Sequence, residues 1–229
     1  MGIIPLCLIS ALIALDTAAV FQVMIAQPIV ACSLIGLISN DLAMGMQVGL
    51  IMQLIWISIL PIGAALFPDG NFGSMIAAII AIVLNRDLPH SDHVIIAFSV
   101  MFGLIFSFVG AHALKFIRMG NVLILNRLLS KIKGGNLNYV GISISYSLIF
   151  HYLITVSVML VSVFLGNMII RKILFYIPDV WNGYLRFFEI AILGAGFGLT
   201  IAMFKDRYSI NFFLAGFIVY IILGLLFLI

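Results

Sequence analysis

The apolar residues of this chain form long runs that are separated by prolines, glycines and short polar stretches. Apolar segments lie at about 3–26, 28–39, 42–60, 72–84, 94–114, 141–170, 188–204 and 208–229. A helix of about 20 apolar residues is long enough to cross a bilayer, and the segments 94–114 and 208–229 reach that length. The pattern predicts a bundle of helices that crosses a membrane several times.

Two of these segments are too short to cross. Residues 29–39 and 72–84 hold only 11 to 13 residues, and each lies next to a proline at Pro28, Pro61 or Pro68. Short apolar segments beside proline breaks are typical of half-helices that enter the membrane and turn back. Ordinary helices with kinks are the alternative.

The clearest break is PIGAALFPDG, from Pro61 to Gly70. Each proline removes a backbone donor and crowds the preceding turn, so this segment cannot be one regular helix. Irregular backbone is tolerated at membrane depth only where protein or a water-filled cavity surrounds it. We therefore predict an all-α, polytopic membrane fold with broken or re-entrant helices, centred on this segment.

Composition independently indicates an integral membrane protein. The chain is 65% hydrophobic and 8% charged, with a mean hydropathy of +1.32, whereas soluble domains are about 25% charged. Readings as a soluble enzyme are excluded, and no nucleic-acid partner is expected. The first segment lacks the basic region of a secretory signal and is interpreted as the first mature helix. Cys7 and Cys32 lie in apolar segments, which favours small buried hydrophobes over a disulfide or metal pair.

Acidic residues stand out in the first part of the chain. The first 85 residues contain no lysine or arginine, yet they include Asp16, Asp41 and Asp69. A carboxylate within a membrane costs several kcal/mol unless it faces a cavity, a partner or water. These acids therefore indicate a polar pathway. Asp41 follows Ser39 and Asn40 in what we interpret as a polar turn near the surface.

Basic residues cluster later, without an acid among them. Five occur within 19 residues: Lys115, Arg118, Arg127, Lys131 and Lys133. The positive-inside rule places this connection, residues 115–136, in the cytoplasm. It serves either as a topogenic loop beside anionic lipid or as a docking surface for a cytosolic protein. We expect a single membrane domain over 1–229, with the substrate path in 1–114 and further helices in 137–229.

Helical spacing selects one polar side chain of the third segment. Gly45, Gly49, Gln53 and Trp56 fall on one helix face, so Gln53 shares its face with small residues that permit close helix packing. Its amide suits a sugar hydroxyl or a neighbouring helix equally well. The candidate substrate-binding residues are Asp69, Gln53, Gln22, Asp16 and Thr17.

These residues occur in a recognisable order. The chain reads LDTAAVFQVMIAQP from Leu15, then ACSLIGLISNDLAMGMQVGL from Ala31, then MQLIWISILPIGAALFPDGNFGS to Ser74. This run resembles the membrane subunit IIC of the mannose/fructose/sorbose family of the bacterial phosphotransferase system. A weaker likeness continues at 177–179, 196–197 and 212–217, so the resemblance covers most of the chain and is least in the central region.

The resemblance implies a sugar-permease subunit of the bacterial inner membrane. In that family IIC forms a hetero-oligomer with a second membrane subunit, IID, and works with cytosolic IIA and IIB proteins. IIB phosphorylates the sugar as it reaches the cytoplasm, so IIC itself has no catalytic residue and no cofactor is expected. His90, His93, His112 and His151 therefore inherit no catalytic role. The HSDH sequence at 90–93 is interpreted as a solvated turn, because two histidines and one acid do not complete a metal shell.

Several positions depart from the family pattern. Gln53 stands where members usually have a glutamate, and Pro61 where the mannose-type proteins have an asparagine. Those proteins also carry an acidic pair and a histidine-arginine pair before the conserved proline, where this chain has Phe21, Gln22, Ala26 and Gln27. A divergent branch with Asp-Arg-Thr and a later glutamine is more similar to Asp16, Thr17 and Gln22, although the arginine is missing here.

Two functions are consistent with these observations. The first is a IIC subunit that translocates a hexose or amino sugar past Asp69, Gln53 and Gln22. The second is a family remnant that no longer transports and acts as a regulatory membrane scaffold for phosphotransferase proteins. An unrelated channel or small-solute carrier is a third, more distant possibility.

Overall fold

The computed structural model describes residues 2–20, 22–57, 68–88, 91–132, 139–178 and 181–203, together with 211 and 214. These residues form seven α-helices without a strand: α1 (Ile3–Ala14), α2 (Pro28–Ile38), α3 (Leu42–Trp56), α4 (Gly70–Asp87), α5 (Asp92–Ile132), α6 (Tyr139–Tyr176) and α7 (Trp181–Met203). Three helices contain stretches long and apolar enough to cross a membrane: Asp92–Ser130, Tyr139–Tyr176 and Gly183–Ala202. The predicted all-α membrane fold is confirmed.

Some predictions concern residues that are not described. The hairpin predicted at PIGAALFPDG falls mainly on residues 58–67, and only its end, from Pro68, lies within the described part. His90, Lys133 and the turn at 134–136 also lie outside the described residues. So does almost all of the last apolar segment, 208–229.

The first apolar segment is not one helix, contrary to the prediction of a single element over 3–26. Helix α1 ends at Ala14, a 3₁₀ turn follows over Leu15–Thr17, and irregular backbone leads to Pro28 at the first position of α2. Proline suits that position because its missing N–H has no partner in the first turn anyway. The predicted short helix is confirmed in α2, which has 11 residues. The segment predicted at 72–84 is longer, since α4 has 18 residues.

Helix α4 forms the centre of the bundle. All residues from Met75 to Ile82 are 0% exposed, and the helix packs against α1, α2, α3, α5 and α6. A helix that is apolar on every side is stable only away from water, in a protein core or in lipid, and here it lies in the protein core. The other helices therefore enclose α4 and bring both of its ends into contact with neighbouring elements.

Helices α2 and α3 approach closely through glycines. A Cβ added at Gly45 would lie 2.5 Å from the Cys32 carbonyl oxygen and 2.8 Å from the Cα of Gly36. One added at Gly49 would lie 2.9 Å from the Pro28 carbonyl oxygen. Small residues permit this backbone contact, and the predicted packing face of α3 is confirmed.

Glycines also allow α4 and α5 to approach closely. A Cβ at Gly103 would lie 2.6 Å from the carbonyl oxygen of Gly73, and the reverse contact is equally close. One turn along α5, the carbonyl oxygen of Ser107 accepts a hydrogen bond from the Asp69 N–H at 2.8 Å. Helix α5 is thus fixed against the start of α4.

Helix α5 corrects the predicted basic loop. The helix has 41 residues and continues through Lys115, Arg118 and Arg127 to Ile132, so the connection placed at 115–136 is helical over its described part. At 1.5 Å per residue α5 is about 60 Å long, roughly twice the hydrocarbon thickness of a bilayer. Long basic side chains can remain on such a helix because their charged ends reach the interface.

We predict that Gly45→Ala destabilises the protein. The added methyl group meets backbone atoms that cannot rotate away, and overpacking of this kind costs about 1–3 kcal/mol. Gly194→Ala in α7 is the matched control, since nothing lies within 4 Å of a Cβ at that position and both changes gain the same helix propensity. Unfolding midpoints of the purified proteins in detergent would fall for Gly45→Ala only. Equal midpoints would contradict the close contact of α2 and α3.

Candidate functional site

Asp69 lies at the N-terminus of the buried helix α4. Its carboxylate accepts a hydrogen bond from the Phe72 N–H at 3.0 Å and caps the helix. The Trp56 ring packs on the next residue, where a Cβ at Gly70 would lie 2.6 Å from the ring. The Trp56 Nε1 is buried and has no hydrogen-bond partner among the described residues. The Trp56 ring therefore lies against the residue that follows Asp69, directly after the Pro68 break.

Asp69 borders a small chamber formed with α5, α6 and the end of α1. Thr17 lines the same chamber, and His151 and Thr155 of α6 form another wall. The Asn71 amide donates a hydrogen bond from Nδ2 to Thr17 Oγ1 at 3.4 Å. The chamber measures about 20 Å³, room for a single water, whereas ligand pockets typically measure about 300 Å³ or more. It must widen before it can hold a sugar.

Asp16 is buried and has a structural role. The side chain is 7% exposed, and its two oxygens accept hydrogen bonds from the N–H groups of Val23 at 2.9 Å and Ala26 at 3.2 Å. A buried carboxylate is tolerated only when such bonds compensate for lost hydration. Asp16 therefore fixes the irregular backbone between α1 and α2 and is not directed at the chamber that Thr17 lines.

Gln22 lies on that irregular segment. Gln22 and Met24 have φ angles of 53° and 67°, the left-handed region that side chains rarely occupy and that costs of order 1–2 kcal/mol per residue. Gln22 is exposed, and it does not line the Asp69 chamber. The strained backbone is held by the bonds to Asp16.

Gln53 joins α3 to the start of α2. Its Oε1 accepts a hydrogen bond from the Ile29 N–H at 3.3 Å, and its Nε2 donates to Gln27 Oε1 at 3.4 Å. Gln27 precedes α2 without capping it by its own side chain, so the Gln53 amide supplies an acceptor that the first turn lacks. The predicted inward orientation is confirmed, and its amide bonds to protein groups.

Asp41 is the counterpart of Asp69 at another helix start. It caps α3 by accepting from the Met44 N–H at 3.3 Å, and its other oxygen accepts from Asn85 Nδ2 at 3.1 Å. The preceding Asn40 has a φ of 57°, as a tight turn between α2 and α3 requires. Asp41 contacts the last turn of α4, so the length of that helix separates it from Asp69.

The histidines form no metal site among the described residues. No group of three or more histidine, cysteine, aspartate and glutamate side chains comes together there. His93 lies in the first turn of α5, and its Nδ1 is 2.9 Å from Glu189 Oε2 on α7. Its predicted place in a solvated turn is therefore corrected, because the residue starts a helix and contacts another.

The structure thus brings together two of the five predicted site residues, Asp69 and Thr17. Asp16 and Gln53 make structural bonds outside the chamber, and Gln22 is exposed. Sequence reasoning missed His151 and Thr155 as part of the chamber, and it missed Asn71, which donates to Thr17 on the chamber wall. Thr155 is four residues after His151, so their helical spacing was a usable signal for a shared face.

Comparison with known proteins agrees with this arrangement. The fructose permease IIC component of Bacillus subtilis is 27% identical over 201 residues, which cover 84% of this chain and 68% of that protein. The mannose-specific EIIC component of Escherichia coli is 24% identical over 193 residues, covering 84% and 70%. The sorbose-specific EIIC component of Klebsiella pneumoniae is 25% identical over 202 residues, with the same coverage of 84% and 70%.

Solved structures share the fold. A membrane protein structure matches with a TM-score of 0.72 and 22% identity, covering 97% of this chain and 90% of the other. The cryo-EM structure of the mannose transporter ManYZ with microcin E492 matches with a TM-score of 0.61 and 24% identity, covering 94% and 84%. The family model described as PTS system sorbose-specific IIC component matches residues 1–229. The resemblance noted in the sequence is confirmed, and the chain belongs to this family of IIC membrane subunits of phosphotransferase sugar transport.

Proposed function

We propose that this chain is the sugar-translocating IIC subunit of a phosphoenolpyruvate-dependent phosphotransferase system. It moves a hexose or amino sugar across the bacterial inner membrane, and a IIB protein phosphorylates the sugar at the cytoplasmic side. The chain itself supplies binding groups and a path, while IIA and IIB carry the phosphoryl chemistry. The observation that carries the proposal is the position of Asp69, half-buried at the start of the enclosed helix α4 and on the wall of the chamber.

Asp69 has the properties that sugar recognition requires. A carboxylate accepts strong hydrogen bonds from hydroxyl groups, and this one caps α4 with one oxygen, Oδ1, bonded to the Phe72 N–H. Thr17 and Asn71 place further hydrogen-bonding groups beside it, and the Trp56 ring adds an apolar surface on the next residue. The acid and the hydroxyl on the chamber wall, with the amide bonded to that hydroxyl and an aromatic ring against Gly70, suit a neutral polyhydroxyl ligand.

The departures from the family pattern fit together in space. The resemblance implies a glutamate at Gln53 and a basic residue near Gln27, and these two positions contact each other at 3.4 Å. An amide pair here replaces a charged pair without leaving a charge unpaired. This compensation supports a maintained transporter more than a decayed one, since loss of one partner alone leaves a costly buried charge.

The exposed apolar surfaces support a hetero-oligomer with a IID subunit. Large apolar side chains lie on the outside of α7, with Phe187 72% and Phe197 57% exposed, and on the second half of α5, with Leu123 64% exposed. Lipid covers such surfaces within the bilayer, and a partner covers those that project beyond it. Helix α5 is longer than the hydrocarbon thickness, and its basic residues assign the excess length to the second half.

The regulatory scaffold is the second candidate. It is favoured by the narrowness of the Asp69 chamber, about 20 Å³, and by the use of the Gln53 amide in bonds to Ile29 and Gln27. A scaffold would recruit phosphotransferase proteins without binding sugar. Transport measurements distinguish the two.

We predict that Asp69→Asn abolishes most sugar uptake whereas Asp41→Asn does not. Asparagine caps helices as well as aspartate, so both changes preserve their helix starts and remove only a charge. Charge-assisted hydrogen bonds contribute about 1.5–3 kcal/mol, which corresponds to a roughly tenfold to hundredfold loss for Asp69→Asn. Uptake of labelled mannose, fructose and N-acetyl amino sugars would be measured in cells that hold the partner proteins.

Membrane insertion of both variants serves as the control for folding. Similar uptake by the two variants, with normal insertion, would remove Asp69 from the mechanism. If the unaltered complex binds and transports none of a broad sugar panel, the transporter proposal is wrong and the scaffold takes its place.

A second prediction concerns topology. We expect the end of α5 to face the cytoplasm, because Lys115, Arg118 and Arg127 lie on it without an acid nearby. A cysteine at Asn126, which is exposed, should react with an impermeant thiol reagent only after permeabilisation. Cys7 and Cys32 are 0% exposed, so the unaltered protein gives the background. Labelling in intact cells would mean the opposite orientation.

A third prediction concerns partners. Purified alone and mixed with phosphorylated IIB, the chain should not support sugar phosphorylation, because no phosphoryl donor chemistry is found among its described residues and its outer helix faces lack their partner. Adding IID should restore activity. Product formation is measured with radiolabelled phosphate, and efficient phosphorylation without IID would refute the requirement.

A further inference from the structure

A second and much larger cavity lies between the C-terminal half of α5 and the N-terminal half of α6. It measures about 430 Å³, within the range of small-ligand pockets. Its polar lining residues are Arg118, Asn121, Ser143, Ser147 and His151. Four residues line both this cavity and the Asp69 chamber: Ala18, Leu114, Ile117 and His151. The two spaces therefore adjoin, with His151 at their junction.

The polar residues of α6 form one stripe. Ser143, Ser147, His151 and Thr155 follow at intervals of four residues, so they lie above one another on a single helix face. Thr155 and His151 line the Asp69 chamber, while His151, Ser147 and Ser143 line the larger cavity. Hydrogen-bonding groups thus continue from the vicinity of Asp69 along the whole wall.

Several of these groups have no partner within the described part of the chain. His151 is only 7% exposed, and its imidazole makes no hydrogen bond there; only its backbone oxygen accepts one, from Thr155. The Asn121 Oδ1 is buried and likewise unpaired. Polar groups of buried side chains are nearly always bonded in native proteins, so the unpaired imidazole at the cavity wall indicates a ligand that brings hydrogen-bonding groups.

The position of the cavity along α5 indicates its side of the membrane. Ser107, which binds the Asp69 N–H, lies 15 residues after Asp92, or about 22 Å along the helix. Arg118 and Asn121 lie about 40 Å along, which is beyond the roughly 30 Å of hydrocarbon when the charged Asp92 is placed at one membrane face. The larger cavity is therefore on the side of the basic residues, past Asp69.

We propose that the α5–α6 cavity is a second sugar-binding site, which holds the neutral, polyhydroxylated substrate between the Asp69 chamber and the cytoplasm. The serine hydroxyls and the His151 ring donate or accept, and Arg118 donates to sugar oxygens. The proposal rests on the transporter function and adds the site at which the sugar waits for phosphorylation.

Cysteine protection tests the site in the complete complex with IID. Ser147→Cys places a thiol in the cavity wall, and Ser145→Cys, two residues along α6 and exposed, places the control thiol outside it. A small methanethiosulfonate should modify Cys at 147 about tenfold more slowly when transported sugar is present at ten times its dissociation constant. A sugar that is not transported should give no protection, and the control thiol should react equally fast throughout.

Blocking the cavity gives an independent measurement. Ser147→Phe should lower uptake at least tenfold, while Ser145→Phe leaves uptake close to that of the unaltered complex. His151→Leu should raise the KM of uptake roughly tenfold, as expected for one lost hydrogen bond to a ligand, and His151→Gln should recover most of it. Assembly with IID and membrane insertion are checked for each variant.

The outcomes separate this inference from the proposed function. If the unaltered complex transports sugar but neither protection nor a loss with Ser147→Phe is seen, the cavity is not a sugar site and the transporter function stands. Protection by any solute or by lipid alone also overturns it. If the unaltered complex transports no sugar, both proposals fail together.

Discussion

The structure depends on the burial of one apolar helix, which must be shielded from water on all sides. Helix α4 has no exposed residue from Met75 to Ile82, so five other helices must enclose it. Its N-terminal N–H groups must then find acceptors inside the bundle, where water is scarce. Asp69 meets part of that requirement by accepting from Phe72. Because α4 is enclosed and its first N–H groups need acceptors, a carboxylate lies at its N-terminus, next to the chamber that Thr17 and His151 line.

The sequence predicted the helix pairs better than it predicted the breaks. The glycines of α3 and the inward Gln53 could be predicted from spacing, because close helix packing requires small residues at helical intervals on one face. The break after Thr17 left no such mark, since Ala18 to Ile25 are mostly apolar and only the bonds of Asp16 to Val23 and Ala26 fix the irregular path. For α5 the sequence predicted a break that does not exist. Basic side chains lowered the hydropathy, but lysine and arginine are good helix formers, and the helix continued.

The grouping of the site residues could not be predicted from spacing either, because it depends on contacts between segments that are distant in the sequence. Asp69 and Thr17 are 52 positions apart in the sequence, and their common chamber arises only because α4 begins where α1 ends. The bond between Gln27 and Gln53 is likewise a tertiary fact that no single segment reveals. Its two amides satisfy each other, whereas either one alone would leave a polar group without this partner.

The unbroken length of α5 has a mechanical consequence. The helix is held near one end, where His93 contacts Glu189, and it carries the Asp69 backbone on the carbonyl oxygen of Ser107. Ile132, at its other end, is about 59 Å from that anchor, and Ser107 is about 21 Å from it. A rigid pivot about the anchor moves Ser107 by rather more than a third of the displacement at Ile132. Because Ser107 is bonded to Asp69 and α5 packs on the start of α4, such a pivot would carry the start of α4 and its half-buried carboxylate with it.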